Sequence, residues 1–184
     1  GANRGIGLEF ARQYAARGWQ VIATARRPDE AGELKALRER HPNVTLERLD
    51  ITDGAVVSAL AARYQGRPVD LLINNAALLE GPDRQLLGKV DYELFSRTVA
   101  VNAMGPLRVT EAFLANVAAS DRKTIVIMSS SAASHGLLRP PINYYPYRAS
   151  KAALNMVGHE LALDLKERGI RVAVVNPGLM DTRD

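Results

Sequence analysis

The sequence predicts a doubly wound α/β fold, a parallel sheet with helices on both faces. Three observations predict it. Short β-branched runs alternate with helical patterns, the links between them are short, and several runs are apolar nearly throughout, as strands covered on both faces require. No repeat, linker or low-complexity segment interrupts the pattern, and residues 1–184 read as a single domain.

The elements follow in order. "GANRGIG" leads into a helix from Ile6 to Arg17 that stops at Gly18. The first strand, "QVIATA", spans Gln20 to Ala25. A helix from Asp29 to Arg40 ends before Pro42, and "VTLERL" (Val44 to Leu49) follows. A helix from Asp53 to Tyr64 leads to "DLLINN" (Asp70 to Asn75). One long helix is expected from about Tyr92 to Ala119, then the strand "KTIVIMSS" (Lys123 to Ser130). A second long helix, about Tyr147 to Arg168, is stopped by Gly169 before "IRVAVVNP" (Ile170 to Pro177). The chain opens at Gly1 without a methionine and stops at "LMDTRD" just after an apolar strand. It reads as a piece of a longer chain, lacking the strand before the glycine turn and the C-terminal part; taken as complete, neither a stable sheet nor activity is expected of it.

Composition excludes several function classes. There is no cysteine, which removes disulfides, thiolate catalysis and cysteine-built zinc sites, and the three histidines are scattered without metal-ligand spacing. No metal is expected. The formal charge of +4 comes from basic residues interspersed with acidic ones, and only 5% of residues are aromatic, so no nucleic acid partner is expected. No apolar stretch reaches the ~20 residues of a membrane span, and a cytoplasmic, soluble protein is the expectation.

Glycines at Gly1, Gly5 and Gly7 ahead of a helix let the backbone lie close to a pyrophosphate, whose charge the helix N-terminus favours. A dinucleotide site also predicts a carboxylate at the end of the strand that follows the glycine-turn helix, to hold the adenosine ribose hydroxyls. Here that place reads "TARRP", with Arg26. A guanidinium pairs with a 2'-phosphate where a carboxylate repels it, and Arg4 in the glycine turn can approach the same group. The expected cofactor is NADP(H) in preference to NAD(H).

"YRASK" places Tyr147 and Lys151 at i and i+4, on one helix face. Neither an unperturbed phenol (pKa ~10) nor an unperturbed ammonium (~10.4) suits acid–base work near neutrality. A cation about 4 Å away at an effective dielectric of ~20 contributes about 4 kcal/mol, or roughly three pKa units for the phenol. Desolvation opposes this, so the two must stay close.

Together with "MSSS", "LDITD", "LLINNAA", "VNAMGP" and "VNPG", these motifs resemble, in the same order, those of the short-chain dehydrogenase/reductase family, most closely its carbonyl reductase and C-factor-like branch. The resemblance covers almost the whole chain. It implies a Rossmann-type sheet and the following roles. Tyr147 is the acid/base, Lys151 lowers its pKa and bonds the nicotinamide ribose, and Ser130 polarises the carbonyl, with Ser129 and Ser131 as rivals one register away. Asn102 holds a water in the proton relay. Gly1, Asn3, Arg4, Gly5, Ile6, Gly7 and Arg26 bind the cofactor's phosphate end, Asp50 and Ile51 its adenine, and Asn75 with Ala76 lie along it. Asp50 reads almost as well as a helix cap before "TDGAVV". Pro177 and Gly178 form the turn beside the nicotinamide, with Thr182 for its carboxamide. Asn74 is expected to be structural, and Ala77 stands where the family usually has glycine.

The resulting reading is an NADP-dependent oxidoreductase moving hydride between nicotinamide and an aldehyde, ketone or alcohol, as a homodimer or homotetramer. The apolar loop "SAASHGLLRPPINYYP" suggests an apolar small-molecule substrate; His135 in it reads as incidental and Tyr145 as packed. A regulatory or signalling dinucleotide-binding module without turnover is the alternative.

Overall fold

The computed structural model describes residues 1–137 and 143–178. They form two compact units, one built on Gly1–Arg63 and the other running from Tyr64 onward.

In the first unit, helix α1 (Gly5–Ala16) precedes strand β1 (Val21–Ala25), helix α2 (Gly32–Arg40), strand β2 (Val44–Arg48) and helix α3 (Gly54–Arg63). The strands pair in parallel from Val21 opposite Val44 to Ala25 opposite Arg48. Leu8, Ala11 and Ala15 recur on one face of α1 and pack with Ala23 and Ala25 of β1 and with Leu34 and Leu37 of α2. Gly18, at φ +79°, ends α1, as its left-handed conformation allows. Asn43 then donates to the carbonyls of Ala15 (2.9 Å) and Trp19 (2.7 Å), tying the end of α1 to the start of β2.

The second unit contains β3 (Leu71–Asn74), α4 (Tyr92–Val99), α5 (Gly105–Ala118), β4 (Thr124–Met128), α6 (Tyr145–Asp164) and β5 (Arg171–Val175). Its sheet has the order β3-β4-β5, all parallel. Ile125 and Ile127 of β4, fully buried, form its core with Val117 of α5 and Leu154 of α6.

Three expected helices are interrupted. The segment expected as one helix from Asp29 starts as a short 3₁₀ turn (Pro28–Glu30) and restarts as α2, with Ala31 between them in a non-helical conformation (φ −88°, ψ 79°). The long helix from Tyr92 contains a π turn at Ala100–Met104. Pro106 has no N–H to give the carbonyl of Asn102 four residues back, so the regular ladder cannot run through. The last helix ends at Asp164, and a 3₁₀ turn (Lys166–Arg168) leads to Gly169 at φ +67°.

Candidate functional site

The glycine turn and the β1 and β2 ends belong to the first unit. Ala2 donates to Thr24 O (2.8 Å), which lays the start of the chain along β1. Arg4 is extended at the head of α1 and supplies no side-chain cap, no acidic residue stands in the first turn, and Gly5 is left-handed at φ +54°. Gly7 is buried and Ile6 half-buried, whereas Asn3 and Arg4 are exposed. The helix thus presents its N-terminal amides with a guanidinium beside them and no competing carboxylate, chemistry suited to a phosphate. Arg26, at the end of β1, is exposed and takes part in none of the ion pairs among the described residues, whereas its neighbour Arg27 pairs with Glu30.

Asp50 follows β2, and it is not the helix cap. Its Oδ1 accepts from the hydroxyl (2.6 Å) and N–H (2.9 Å) of Thr52, closing a turn, while Asp53 caps α3 through Ala55 N (2.9 Å) and Val56 N (3.1 Å). Thr52's hydroxyl, above all, holds the Asp50 carboxyl below the usual carboxylate range, with Thr52's N–H and the charges of Arg26 and Arg48 acting in the same direction. Ile51 beside it is half-buried.

In the second unit Tyr147 and Lys151 sit in the first turns of α6. Lys151 is 2% exposed; its Nζ donates to Met128 O at the end of β4 (2.8 Å) and lies 5.9 Å from the centroid of the Tyr147 ring. Burial pulls its pKa down from 10.5 to about 8. The i,i+4 spacing therefore does bring the two side chains together.

The serines of "MSSS" divide by their partners. Ser129 is buried and donates to Asn155 Oδ1 (2.5 Å) on α6. Ser131 is exposed and begins a 3₁₀ turn. Ser130 is half-buried and its Oγ accepts from Ala132 N (3.1 Å); an accepted bond uses a lone pair and leaves the hydroxyl proton to donate. The turn it caps packs against α6.

Asn102 lies in the π turn, fully buried. Its Oδ1 accepts from Leu78 N (2.6 Å), and its amide donates to Leu78 O (3.0 Å) and Ser150 Oγ (2.9 Å). Both amide hydrogens are thus committed to protein. Ser150 in turn donates to Tyr147 O (2.7 Å), so Asn102 supports the tyrosine turn through one intervening hydroxyl. Asn74 donates to Thr110 Oγ1 (3.1 Å) and ties β3 to α5. Asn75 and Ala76, half-buried, continue from β3, followed by exposed Ala77. Past β5, Pro177 is half-buried and Gly178, at φ +78°, donates to Asn176 Oδ1 (3.1 Å). Thr182 lies outside the described residues, as do residues 138–142 of the apolar loop.

Some of what holds this site has no signature in the sequence. Gln85, 1% exposed, accepts from Tyr147 N at its Oε1 (3.2 Å) and from Tyr145 N at its own carbonyl (3.2 Å). Gly158 lets α6 lie directly on β5, since a β-carbon there would overlap the Val174 side chain. Tyr145, expected to pack, is instead exposed.

Residues 1–183 match the family model for short chain dehydrogenases. The chain belongs to the short-chain dehydrogenase family. An uncharacterised oxidoreductase of Schizosaccharomyces pombe is 34% identical over 185 residues, which cover 99% of this chain and 72% of that protein. Among solved structures, an NADPH-bound carbonyl reductase from chicken fatty liver superposes with a TM-score of 0.90 at 33% identity, covering 99% of this chain and 78% of that one. A short-chain dehydrogenase/reductase from Burkholderia multivorans with bound NADP gives 0.89 at 33% identity, covering 100% and 78%. The Rossmann-type α/β fold and the carbonyl reductase branch are those the sequence motifs implied.

Proposed function

We propose that this chain is an NADP(H)-dependent oxidoreductase that reduces an aldehyde or ketone to the alcohol, or runs the reverse reaction. The observation that carries the proposal is Lys151, a buried ammonium held beside the Tyr147 ring on the same face of α6. The NADPH and NADP in the two neighbouring structures support the choice of cofactor, as do exposed Arg4 and Arg26 at the phosphate-binding end. Gly1, Asn3, Gly5, Ile6 and Gly7 complete that end in the proposal, with Asp50 and Ile51 at the adenine and Asn75, Ala76, Pro177, Gly178 and Thr182 along the rest.

NADPH, held by these residues, would supply the hydride for the carbonyl carbon and be left as NADP⁺. Tyr147 gives its phenolic proton to the carbonyl oxygen as the C=O π bond breaks, so the product is the neutral alcohol and the phenol is left as tyrosinate. Lys151 stabilises that charge across the first turn of α6. Ser130 donates its remaining hydroxyl proton to the same oxygen and orients it. Asn102 fixes Ser150 and with it the tyrosine turn; the water-holding part that the resemblance implies for it falls to its main-chain carbonyl, which Pro106 leaves without its regular helical donor. The substrate is taken to be a small, apolar carbonyl compound. Exposed Tyr92, Met104, Met156 and Leu163 on the helices of this unit are proposed to serve a homodimer or homotetramer, which size-exclusion chromatography tests.

The test is a panel of aldehydes and ketones assayed with NADPH and with NADH, repeated on Tyr147→Phe. Removing the hydroxyl lowers kcat by about 10²-fold or more while NADPH still binds. Tight NADPH binding with no oxidation across the panel refutes turnover and favours a regulatory binding module.

A further inference from the structure

We infer that Gln85 is a positioning residue for Tyr147, replacing from a distant loop the N-cap that α6 lacks. The inference rests on the reductase reading for its catalytic consequence. A helix start leaves its first amides without internal acceptors, and a Ser, Thr, Asp or Asn at the N-cap usually supplies one. The N-cap of α6 is Tyr144, which is left-handed (φ 70°, ψ 44°) and offers no side-chain bond. Pro146 has no N–H, and the regular ladder begins with Arg148 N donating to Tyr144 O (2.9 Å). That leaves the amides of Tyr145 and Tyr147. Gln85 takes both, the first with its main-chain carbonyl and the second with its side-chain oxygen, each at 3.2 Å and from 62 positions before Tyr147.

Gln85 is itself held. Its Nε2 donates to Glu80 O (2.7 Å) and Gly81 O (3.3 Å), and its N–H to Pro82 O (2.8 Å). Ion pairs tie the surrounding loop: Arg84 to Glu80 (3.0 Å) and to Asp91, and Arg97 to Glu80 (2.9 Å). Asp91 also caps α4 through Leu94 N (2.9 Å). At 1% exposure no bulk water stands ready to replace the Gln85 acceptor. The peptide groups flanking Tyr147 are therefore fixed on both sides, at the N–H by Gln85 and at the carbonyl by Ser150 with Asn102 behind it. The phenol reaches its substrate from this turn, and a displacement of ~1 Å at a reacting group can cost ~10²-fold in rate.

The test uses the intact protein with Gln85→Met, which fills the space without the acceptor, and Gln85→Glu, which keeps one and is protonated where water is excluded. In Gln85→Met the Tyr147 amide exchanges about tenfold faster, the later turns of α6 keep their protection, kcat falls about 10-fold to 100-fold, and the NADPH dissociation constant stays within about twofold. Gln85→Glu retains most of the protection and of kcat. An unchanged kcat in Gln85→Met, a loss of NADPH affinity in step with kcat, or equal losses in the two variants overturns the inference. The reductase reading fails separately, through full turnover in Tyr147→Phe, and takes the kinetic consequence with it; the exchange measurement still reads the clamp at Tyr147.

Discussion

Lys151 keeps an ammonium where water barely reaches it, with the Met128 carbonyl for a partner, and this gives it two pH signatures of opposite direction. The proposed chemistry needs the charged form, so kcat/KM for carbonyl reduction falls as pH rises through about 8, where burial has placed this lysine. Stability moves the other way. Below about 8 folded and unfolded chains both hold the proton, and the full cost of burying the charge is present. From there to the ordinary value of 10.5 only the unfolded chain still binds it, so folding gains with rising pH. Urea titrations on either side of pH 8 check this: the parent gains stability relative to Lys151→Met as pH rises, and parallel behaviour of the two refutes the assignment. At this scale the sequence was informative because i,i+4 spacing is local geometry. It was weakest at Asp50, where a cap and a turn share one signature and Asp53, three residues on, took the helix.

At the scale of elements, α6 matters most, and Gly158 is where it touches β5. Gly→Ala in an exposed helix interior ordinarily stabilises by about 1 kcal/mol. Here the added methyl meets Val174, and overpacking costs about 1–3 kcal/mol, so Gly158→Ala is expected to lower the melting temperature. A rise on thermal melting shows that β5 yields freely. Strand positions were legible because apolar runs bounded by Gly, Pro and Asn mark them whatever their neighbours. Helix continuity was less so. The breaks at Ala31 and in the π turn around Asn102 interrupt segments whose apolar periodicity continues through them, and only the backbone hydrogen bonding, with Pro106 withholding a donor, shows the interruption.

For the molecule as a whole, ligand linkage gives the broadest test. A ligand that binds only the folded state at 100 times its dissociation constant stabilises by about 2.7 kcal/mol. NADPH is therefore expected to raise the melting temperature more than NADH at equal concentration, and Arg26→Asp to abolish that difference while leaving the NADH response largely intact. Equal shifts with both cofactors in the parent refute the role of Arg26. By itself the sequence determined the alternation of elements, the parallel pairing, the glycine turn and the Tyr147–Lys151 pair, because each depends on residues within a few positions of one another. Only the tertiary structure decided which serine of "MSSS" is already committed, where the amide of Asn102 goes, and that Gln85 caps α6. Those bonds join residues 24 to 62 positions apart, and a buried polar group takes whichever partner folding brings to it, for which no local pattern exists.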